Sequence, residues 1–280
     1  MAGVRVAIVG ATGAVGQELI RILEERSFPV ASLKLLASPR SAGSTLTFQG
    51  EALPVEALTA QAFQGTDLVF FSAGASVSQE YAPAALAAGA TVIDNSSAFR
   101  TDEEVPLVVP EVNGHLLDEG PQLVANPNCS TTILVMALAP LRRAAGLRRV
   151  IVSTYQAVSG AGARAVEELK AQVRAWLEGR PLEASILPYR DGKRHRPIAF
   201  NLLPQCDRFD ELGYTKEEWK LVHETRKILG DPDLPVTATT VRVPVLRSHS
   251  ESVYLETERP LAVEEARRLL GETPGVQVLD

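Results

Sequence analysis

The hydrophobic pattern of the first half of the chain alternates between strand-like and helical periods. Residues 4–9 predict a buried strand, and residues 17–23 have apolar positions spaced as on one face of a helix. An alanine-rich helix is predicted at 78–88, and further strand-like runs lie near 33–37, 67–74, 91–94 and 122–125. Short apolar strands separated by helices are typical of a parallel sheet covered on both faces. The pattern therefore predicts an α/β fold with an N-terminal, doubly wound Rossmann-type domain.

The second half of the chain predicts an α+β domain. Residues 149–158 have the alternating, β-branched character of a strand, and 236–245 and 247–255 predict two more, the second continuing the first after a turn. Helices are predicted from Cys129 onward, with one apolar face between residues 133 and 141, and at 165–178, 216–229 and 262–270. A last strand fragment is predicted at 276–279. We place the boundary between the domains after residue 131, which gives domains of residues 1–131 and 132–280.

Composition narrows the class of protein. With 280 residues, 45% of them apolar and 22% charged, the chain resembles an ordinary soluble globular protein. Its net charge of -6 argues against nucleic acid as a main partner, because binding a phosphate backbone needs a concentrated positive surface. Two cysteines without C-x-x-C spacing predict neither a disulfide framework nor a metal site. The first residues lack a signal-peptide pattern and no apolar run is long enough to span a bilayer, so we expect a cytoplasmic protein without a membrane partner.

A glycine-rich turn, GATGAVG at residues 10–16, lies between the first predicted strand and the first predicted helix. Glycines at these spacings allow a tight turn, close approach of a pyrophosphate to the backbone, and packing of helix against strand. The helix N-terminus then faces the anion. This context predicts a dinucleotide-binding site in which Thr12, Gly13, Ala14 and Val15 line the phosphates; the alternative is a plain tight turn.

The second predicted strand ends in a segment that favours NADP over NAD. An NAD site usually has an acidic residue here for the ribose 2′-hydroxyl, yet none occurs between Glu25 and Glu51. Arg40, with Ser41 beside it, suits a 2′-phosphate instead. The alternative is that Arg40 is a solvated loop residue.

Cys129 is the candidate nucleophile. It follows the turn Asn126-Pro127-Asn128 and opens a helical pattern, so the backbone N–H groups and the helix dipole are expected to stabilise its thiolate. The alternative is a small buried apolar side chain, which is what most free cysteines are. Cys206 has neither a nearby base nor a helix N-terminus in the sequence, and we treat it as structural.

Five further residues carry chemistry that suits a site. Arg100 follows a predicted strand at the carboxyl edge of the sheet, where open α/β proteins bind ligands, although an isolated arginine is more often a surface residue. Arg242 and His249 lie at or near the ends of the predicted strands, and histidine is the natural proton carrier near pH 7. Glu217 and Lys220 share one face of a helix, where a solvated ion pair is the simpler interpretation.

Six motifs together resemble the aspartate-semialdehyde dehydrogenase family, bacterial type. They are GATGAVG at 10–16, NSSAFR at 95–100, NPNCSTT at 126–132, YQAVSG at 155–160, EEWK at 217–220 and RVPVLRSH at 242–249. They occur in the family's order and at about its spacing, and the resemblance covers essentially the whole chain. It implies reversible, NADP-dependent reductive dephosphorylation of L-aspartyl 4-phosphate to L-aspartate 4-semialdehyde, a step toward lysine, methionine, threonine and isoleucine.

The resemblance also implies roles for the catalytic and substrate-binding residues. Cys129 matches the nucleophile that forms a thioacyl enzyme, and His249 matches the general acid/base. Gln156 would orient the acyl group. The substrate-binding matches are Arg242 for the carboxylate, Glu217 for the ammonium group, and Arg100 with Lys220 for phosphate.

For the cofactor, the family places three segments around NADP. These are the residues from Thr12 to Val15, Arg40 with Ser41, and Ser159 with Gly160. For Ser159 and Gly160, the alternative to a cofactor contact is a simple turn between a strand and a helix. The resemblance further implies a homodimer formed through the second, catalytic domain.

Two alternatives and one departure accompany this interpretation. An N-acetylglutamyl-phosphate reductase would share the nucleotide fold, the cysteine and the histidine, but Arg242 with Glu217 and Lys220 favours a free amino acid. A non-catalytic NADP-binding regulator is the other alternative. Family members continue past the position of Asp280 with a segment that returns to the nucleotide domain, so we expect either a truncated chain or a shortened form.

Overall fold

A computed structural model describes residues 3–189 and 192–280 of the chain, which divide into two compact units. The first unit contains the residues up to Val108 together with Gly114–Pro127. The second contains Val109–Asn113 and Asn128–Asp280. The boundary that the sequence predicted, after residue 131, lies slightly further along the chain, and residues 109–113 belong to the second unit rather than the first. None of the helices in the described part of the chain is both long and apolar enough to cross a membrane.

The first unit is built on a seven-stranded sheet with the strand order β3-β4-β2-β1-β5-β6-β7. The strands are β1 (Val4–Val9), β2 (Val30–Ala37), β3 (Thr45–Phe48), β4 (Glu51–Ala57), β5 (Leu68–Phe71), β6 (Thr91–Asp94) and β7 (Leu123–Ala125). All neighbouring strands pair in parallel except β3, which runs antiparallel to β4. Helices α1 (Ala14–Glu25) and α2 (Ala75–Ala87) complete the unit. The prediction of a doubly wound Rossmann-type domain is confirmed.

The strand order of this sheet reverses at β1, which has β2 on one side and β5 on the other. In open α/β sheets, ligands bind outside the carboxyl ends of the strands at such a reversal. The three residues that end β1 are fully buried, because helices cover both faces of a parallel sheet. This burial fixes the position of the chain at the end of β1, where the predicted nucleotide turn begins.

The described residues of the second unit form a three-stranded sheet, in the order β10-β8-β9, and five α-helices. The strands are β8 (Arg149–Gln156), β9 (Val236–Arg242) and β10 (Ser250–Glu256). The helices are α3 (Pro110–Asn113), α4 (Cys129–Ala145), α5 (Ala163–Leu177), α6 (Lys216–Leu229) and α7 (Val263–Gly271). Alternate residues of β8 are buried, as expected for a sheet with helices on one face. Helix α6 packs on β9 and on α4, so the end of β9 and the start of α4 share one neighbour.

Two sequence predictions in this unit need correction. Strand β10 does not extend β9 after a turn: it lies on the far side of β8 and pairs antiparallel with it. Residues 276–279 form no strand, because the chain turns after α7 and these residues join no sheet. Alternating apolar residues are necessary for a strand, but a pairing partner decides whether it forms.

Candidate active site

Cys129 is the first residue of α4, as the sequence predicted, and its side chain is exposed. The helix begins here because Asn128 caps it: the Asn128 side-chain oxygen accepts hydrogen bonds from the N–H groups of Ser130 (2.9 Å) and Thr131 (3.3 Å). The apolar face of α4, which includes Leu134 and Leu138, is buried. The thiol is thereby presented at the positive end of a helix, which favours a negative charge on sulfur.

His249 is a titratable partner of that thiol. Its Nε2 lies 3.2 Å from Cys129 Sγ, and its Nδ1 accepts a hydrogen bond from the Ala157 N–H at 3.0 Å. Because Nδ1 is occupied as an acceptor, the neutral ring carries its proton on Nε2, next to the sulfur. Burial and the Arg242 guanidinium lower the pKa of His249, against an opposing effect of Glu217, so the neutral ring predominates near pH 7.

Glu217 contacts two other predicted site residues, Gln156 and Lys220, and also Asn128. Its Oε1 accepts hydrogen bonds from Gln156 Nε2 and Asn128 Nδ2, both at 2.9 Å, and its Oε2 is 2.9 Å from Lys220 Nζ. Burial raises the pKa of Glu217, but Lys220 and the two amide donors outweigh burial and bring the pKa down to about 2. The solvated ion pair that the sequence left open is therefore not what forms, since Glu217 is only 8% exposed.

Arg242 is buried at the end of β9. Its backbone N–H and C=O exchange hydrogen bonds with Leu203, and its Nη1 donates to the Ala157 carbonyl at 2.9 Å. Among the described residues, neither Arg242 Nε nor Gln156 Oε1 has a hydrogen-bond partner, although both atoms are buried. Buried polar atoms are normally paired. A hydrogen-bond acceptor beside Arg242 Nε and a donor beside Gln156 Oε1 would complete the pairing of these two atoms.

The segment with Ser159 and Gly160 lies against this group. Ser159 N–H donates to the Leu246 carbonyl, in the loop that leads to His249. A Cβ atom added at Gly160 would lie 3.0 Å from Arg242 Nη1 and 3.2 Å from His249 Nε2. Glycine here therefore keeps the space beside the imidazole open.

The glycine turn of the first unit has the geometry of an anion site. Gly10 has a φ of 87°, and a Cβ at Gly16 would lie 2.3 Å from the Gly10 carbonyl oxygen, so only glycine lets α1 start this close to β1. In the described part of the chain, no side chain caps the start of α1 at Gly13. Gly13, Ala14 and Val15 are exposed and Thr12 is half-buried. The first backbone N–H groups of the helix are thus available to an anion.

Arg40 and Ser41 lie in the turn after β2, the strand next to β1. Arg40 is exposed, and Ser41 N–H donates to the Ser38 carbonyl. The N–H groups of Gly10 and Ala11 both donate to the carbonyl of Leu36 on β2, which ties the glycine turn to this edge. The Arg40 turn therefore follows the carboxyl end of β2, and the glycine turn follows the carboxyl end of β1, the strand that pairs with β2.

Arg100 is buried rather than a surface residue, the alternative that the sequence had favoured for an isolated arginine. Its Nε donates to the carbonyl of Asn126 at 2.9 Å, and its Nη2 donates to the carbonyl of Asn95 at 3.0 Å. Asn126 Nδ2 also donates to Asn95 Oδ1 at 2.6 Å. The guanidinium is thereby fixed at the carboxyl edge of the sheet.

Within the second unit the structure brings together the residues predicted for catalysis and, apart from Arg100, those predicted for substrate binding, with Ser159 and Gly160 beside them. Arg100 lies in the first unit, as do the predicted nucleotide residues of the glycine turn and the Arg40 turn. Sequence reasoning missed the buried Glu224, whose carboxyl group bonds the N–H of Asn128. The signal was present: Glu217, Leu221, Glu224 and Ile228 share one helical face, so two acidic residues lie on an otherwise apolar stripe. Burial raises the pKa of Cys206 to about 11, in keeping with a structural thiol.

Comparison with known proteins gives two matching family models. Residues 5–120 match the model described as semialdehyde dehydrogenase, NAD binding domain. Residues 138–280 match the model described as semialdehyde dehydrogenase, dimerisation domain. The two matches together span most of the chain.

Individual relatives extend the likeness over nearly the full chain. The aspartate-semialdehyde dehydrogenase of Bacillus subtilis is 53% identical over 279 residues, which are 99% of this chain and 81% of that protein. The crystal structure of aspartate semialdehyde dehydrogenase II from Vibrio cholerae, complexed with ASA, superimposes with a TM-score of 0.91 at 43% identity and covers 98% of this chain and 80% of that one. The Candida albicans enzyme, solved with NADP, has a TM-score of 0.70 at 26% identity, covering 96% and 76%.

Proposed function

Because the chain belongs to the aspartate-semialdehyde dehydrogenase family, we propose that it catalyses the reversible, NADP-dependent reductive dephosphorylation of L-aspartyl 4-phosphate to L-aspartate 4-semialdehyde. The observation that supports this reaction most directly is the pairing of Cys129 Sγ with His249 Nε2 at the N-terminus of α4. The reaction would serve the synthesis of lysine, methionine, threonine and isoleucine. The first unit would bind the cofactor, and the second would perform the chemistry.

The residues of the first unit fit a phosphorylated dinucleotide. The uncapped start of α1 and the glycine turn, from Thr12 to Val15, would hold the pyrophosphate. Arg40 with Ser41 would receive the 2′-phosphate that distinguishes NADP from NAD. Ser159 and Gly160, beside the imidazole, would meet the nicotinamide end. When bound, the reduced cofactor supplies the hydride that converts the acyl group to the aldehyde.

Cys129 would perform the covalent step. Its thiolate forms a bond to the acyl carbon, the bond from that carbon to the phosphate oxygen breaks, and phosphate leaves with the electron pair. His249 holds its proton on Nε2, where it donates to the oxygen that gains negative charge. When the carbon–sulfur bond later breaks, sulfur leaves again as the thiolate, which the start of α4 stabilises.

The remaining polar groups would position the substrate. Arg242, whose buried Nε lacks a partner among the described residues, would bind the α-carboxylate, and Glu217 would bind the ammonium group. Gln156, with its Oε1 likewise unpaired in the described protein, would orient the acyl group. Arg100 and Lys220 would bind phosphate, which is consistent with cationic side chains in an acidic protein.

We propose a homodimer formed through the second unit, which matches the dimerisation-domain model. Supporting this, the outward-facing positions of its sheet include exposed Ile151 and Tyr155 on β8 and Tyr254 on β10. An apolar sheet face of this kind is typical of an interaction surface.

The test is to follow reduction of NADP by the purified chain with L-aspartate 4-semialdehyde, with and without phosphate. NAD and N-acetylglutamate semialdehyde are the competing cofactor and substrate. We expect phosphate-dependent activity that Cys129→Ala abolishes while NADP binding persists, and that Cys206→Ala, the matched control, preserves. A preference for the N-acetylated substrate, or activity in the Cys129→Ala variant, would contradict the proposal.

A further inference from the structure

Glu224 is a buried acidic residue to which the proposed mechanism gives no role. It lies on α6 and is 3% exposed. Its Oε2 accepts a hydrogen bond of 2.6 Å from the backbone N–H of Asn128, the residue that precedes Cys129. Taking a carboxyl group out of water is costly unless it is bonded. A carboxyl group buried against the turn that presents the nucleophile therefore calls for an explanation in terms of that turn.

Asn128 is held from two sides. On one side, α6 supplies Glu224 to its N–H and Glu217 to its side-chain Nδ2, two acceptors separated by two helical turns. On the other side, the first turn of α4 donates to its side-chain oxygen, and Thr132 donates its N–H and hydroxyl to the Asn128 carbonyl. The donors and acceptors of Asn128 are thus used both by α6 and by α4.

This double attachment fixes the direction of Cys129. Asn128 has an extended backbone, with φ of -58° and ψ of 147°, and the helix starts with the next residue. A rotation of the peptide before Asn128 would break the bond to Glu224 and turn the first residue of α4. The distance of 3.2 Å between Cys129 Sγ and His249 Nε2 depends on that orientation.

We propose that Glu224 is a positioning residue, which fixes the Asn128 turn so that Cys129 meets His249 in the reactive orientation. The role rests on the proposed function of Cys129 as the nucleophile. Glu224 reaches the nucleophile through Asn128 rather than by contact with the sulfur, so its loss should slow the chemistry of Cys129 more than it weakens binding of substrate.

Glu218 provides a matched control on the same helix. It is also buried, at 7% exposed, and it also accepts from backbone groups, the N–H of Thr215 at 2.6 Å and of Thr240 at 2.9 Å. Those bonds brace the start of α6 and strand β9, not the turn before Cys129. Loss of Glu218 should therefore lower stability by a comparable amount without changing the reactivity of the thiol.

The experiment compares Glu224→Ala, Glu224→Asp, Glu224→Gln and Glu218→Ala in the full chain with Cys206→Ala as background. The rate of alkylation of Cys129 by iodoacetamide is measured as a function of pH, together with the melting temperature and kcat for the semialdehyde. We expect Glu224→Ala to lower kcat and the alkylation rate about tenfold to a hundredfold. Glu224→Asp, whose carboxyl group falls short by one methylene, should show a smaller loss. Glu224→Gln keeps an oxygen acceptor and should restore most of both rates.

Two outcomes would overturn the inference. One is an unchanged alkylation rate in Glu224→Ala or, if that variant does not fold, in Glu224→Asp. The other is an equal loss of alkylation in Glu218→Ala at a similar melting temperature, which would show a general effect of stability. Alkylation needs no substrate, so a reactive thiol in a parent chain that does not turn over the semialdehyde would disprove the proposed reaction and leave the role of Glu224 intact.

Discussion

Replacing Glu217 by glutamine should affect both stability and substrate binding, because its carboxylate has two separate tasks. An amide oxygen can still accept from Gln156 and Asn128, but the amide NH2 then faces the Lys220 ammonium group, and two donors oppose each other. The ion pair with Lys220 is lost. The Asp207 carboxylate, 3.9 Å from Lys220 Nζ, remains as a partner of Lys220 and recovers part of that energy.

The expected loss of stability follows from the pKa of Glu217, which is about 2 in the folded protein, whereas its ordinary value is 4.5. At about 1.4 kcal/mol per unit, the folded protein favours the charged form by on the order of 3 kcal/mol. A carboxyl group whose pKa is lowered by folding stabilises the folded protein at pH values above its ordinary pKa. For Glu217 that contribution is lost as the pH falls from 4.5 toward about 2. The Glu217→Gln variant should thus be less stable at pH 7 by up to this amount, and the difference should shrink in acid.

Urea unfolding near neutral pH and in acid measures that difference, and steady-state kinetics measures the second task. Loss of a charge-assisted hydrogen bond to the substrate ammonium group is worth about 1.5–3 kcal/mol, so KM for the semialdehyde should rise about tenfold to a hundredfold. The control is Glu256→Gln, which removes the exposed pair with Arg149 and should change stability by less than about 1 kcal/mol. A Glu217→Gln variant with the parent's KM and the parent's stability at pH 7 would refute the reasoning.

Three further predictions follow from single side chains. Arg242→Lys keeps the charge but loses the planar fork, and kcat/KM for the semialdehyde should fall about a hundredfold in steady-state kinetics; a change below about threefold would remove Arg242 from the site. Arg40→Asp should raise KM for NADP at least about tenfold and KM for NAD much less, measured side by side. Burial raises the pKa of Glu251 from 4.5 to about 8, so stability should fall as the pH rises through that interval. Glu251→Gln should be more stable than the parent in urea unfolding above about pH 8, and a parallel pH dependence of the two proteins would contradict this.

Local sequence signals predicted those parts of the fold that depend on neighbouring residues. The strand, glycine turn and helix at the start of the chain form as predicted, since each is specified within a few residues. The same holds for the helix that begins at Cys129 and for the helix predicted at 216–229, whose start is capped reciprocally by the side chains of Thr215 and Glu218.

Features that depend on distant residues could not be predicted in this way. The pairing of β10 with β8 joins Ser250 to Tyr155, and no local pattern distinguishes it from pairing with β9. The bond from Glu224 to Asn128 spans almost a hundred positions, and a lone sequence shows only that an acidic residue lies on an apolar helical face. Similarly, the acceptor role of His249 Nδ1 depends on the backbone N–H of Ala157, the residue that follows β8. The strand pairing and both hydrogen bonds depend on contacts between residues that are far apart in the sequence.

Under the proposed function, the contact between α6 and the start of α4 sets the length of substrate that fits the site. Glu217, the proposed partner of the substrate's ammonium group, is bonded to Asn128, which immediately precedes the nucleophile. The groups proposed for the two ends of the substrate lie on α6 and at the start of α4, and the bond between Glu217 and Asn128 holds these two helices at a fixed spacing there. A homologue with one more methylene between its amino group and its reacting carbonyl would displace the acyl carbon by about 1 Å, enough to cost on the order of a hundredfold in rate. Selectivity for the four-carbon acyl group over the five-carbon one thus needs no steric barrier at the far end of the pocket.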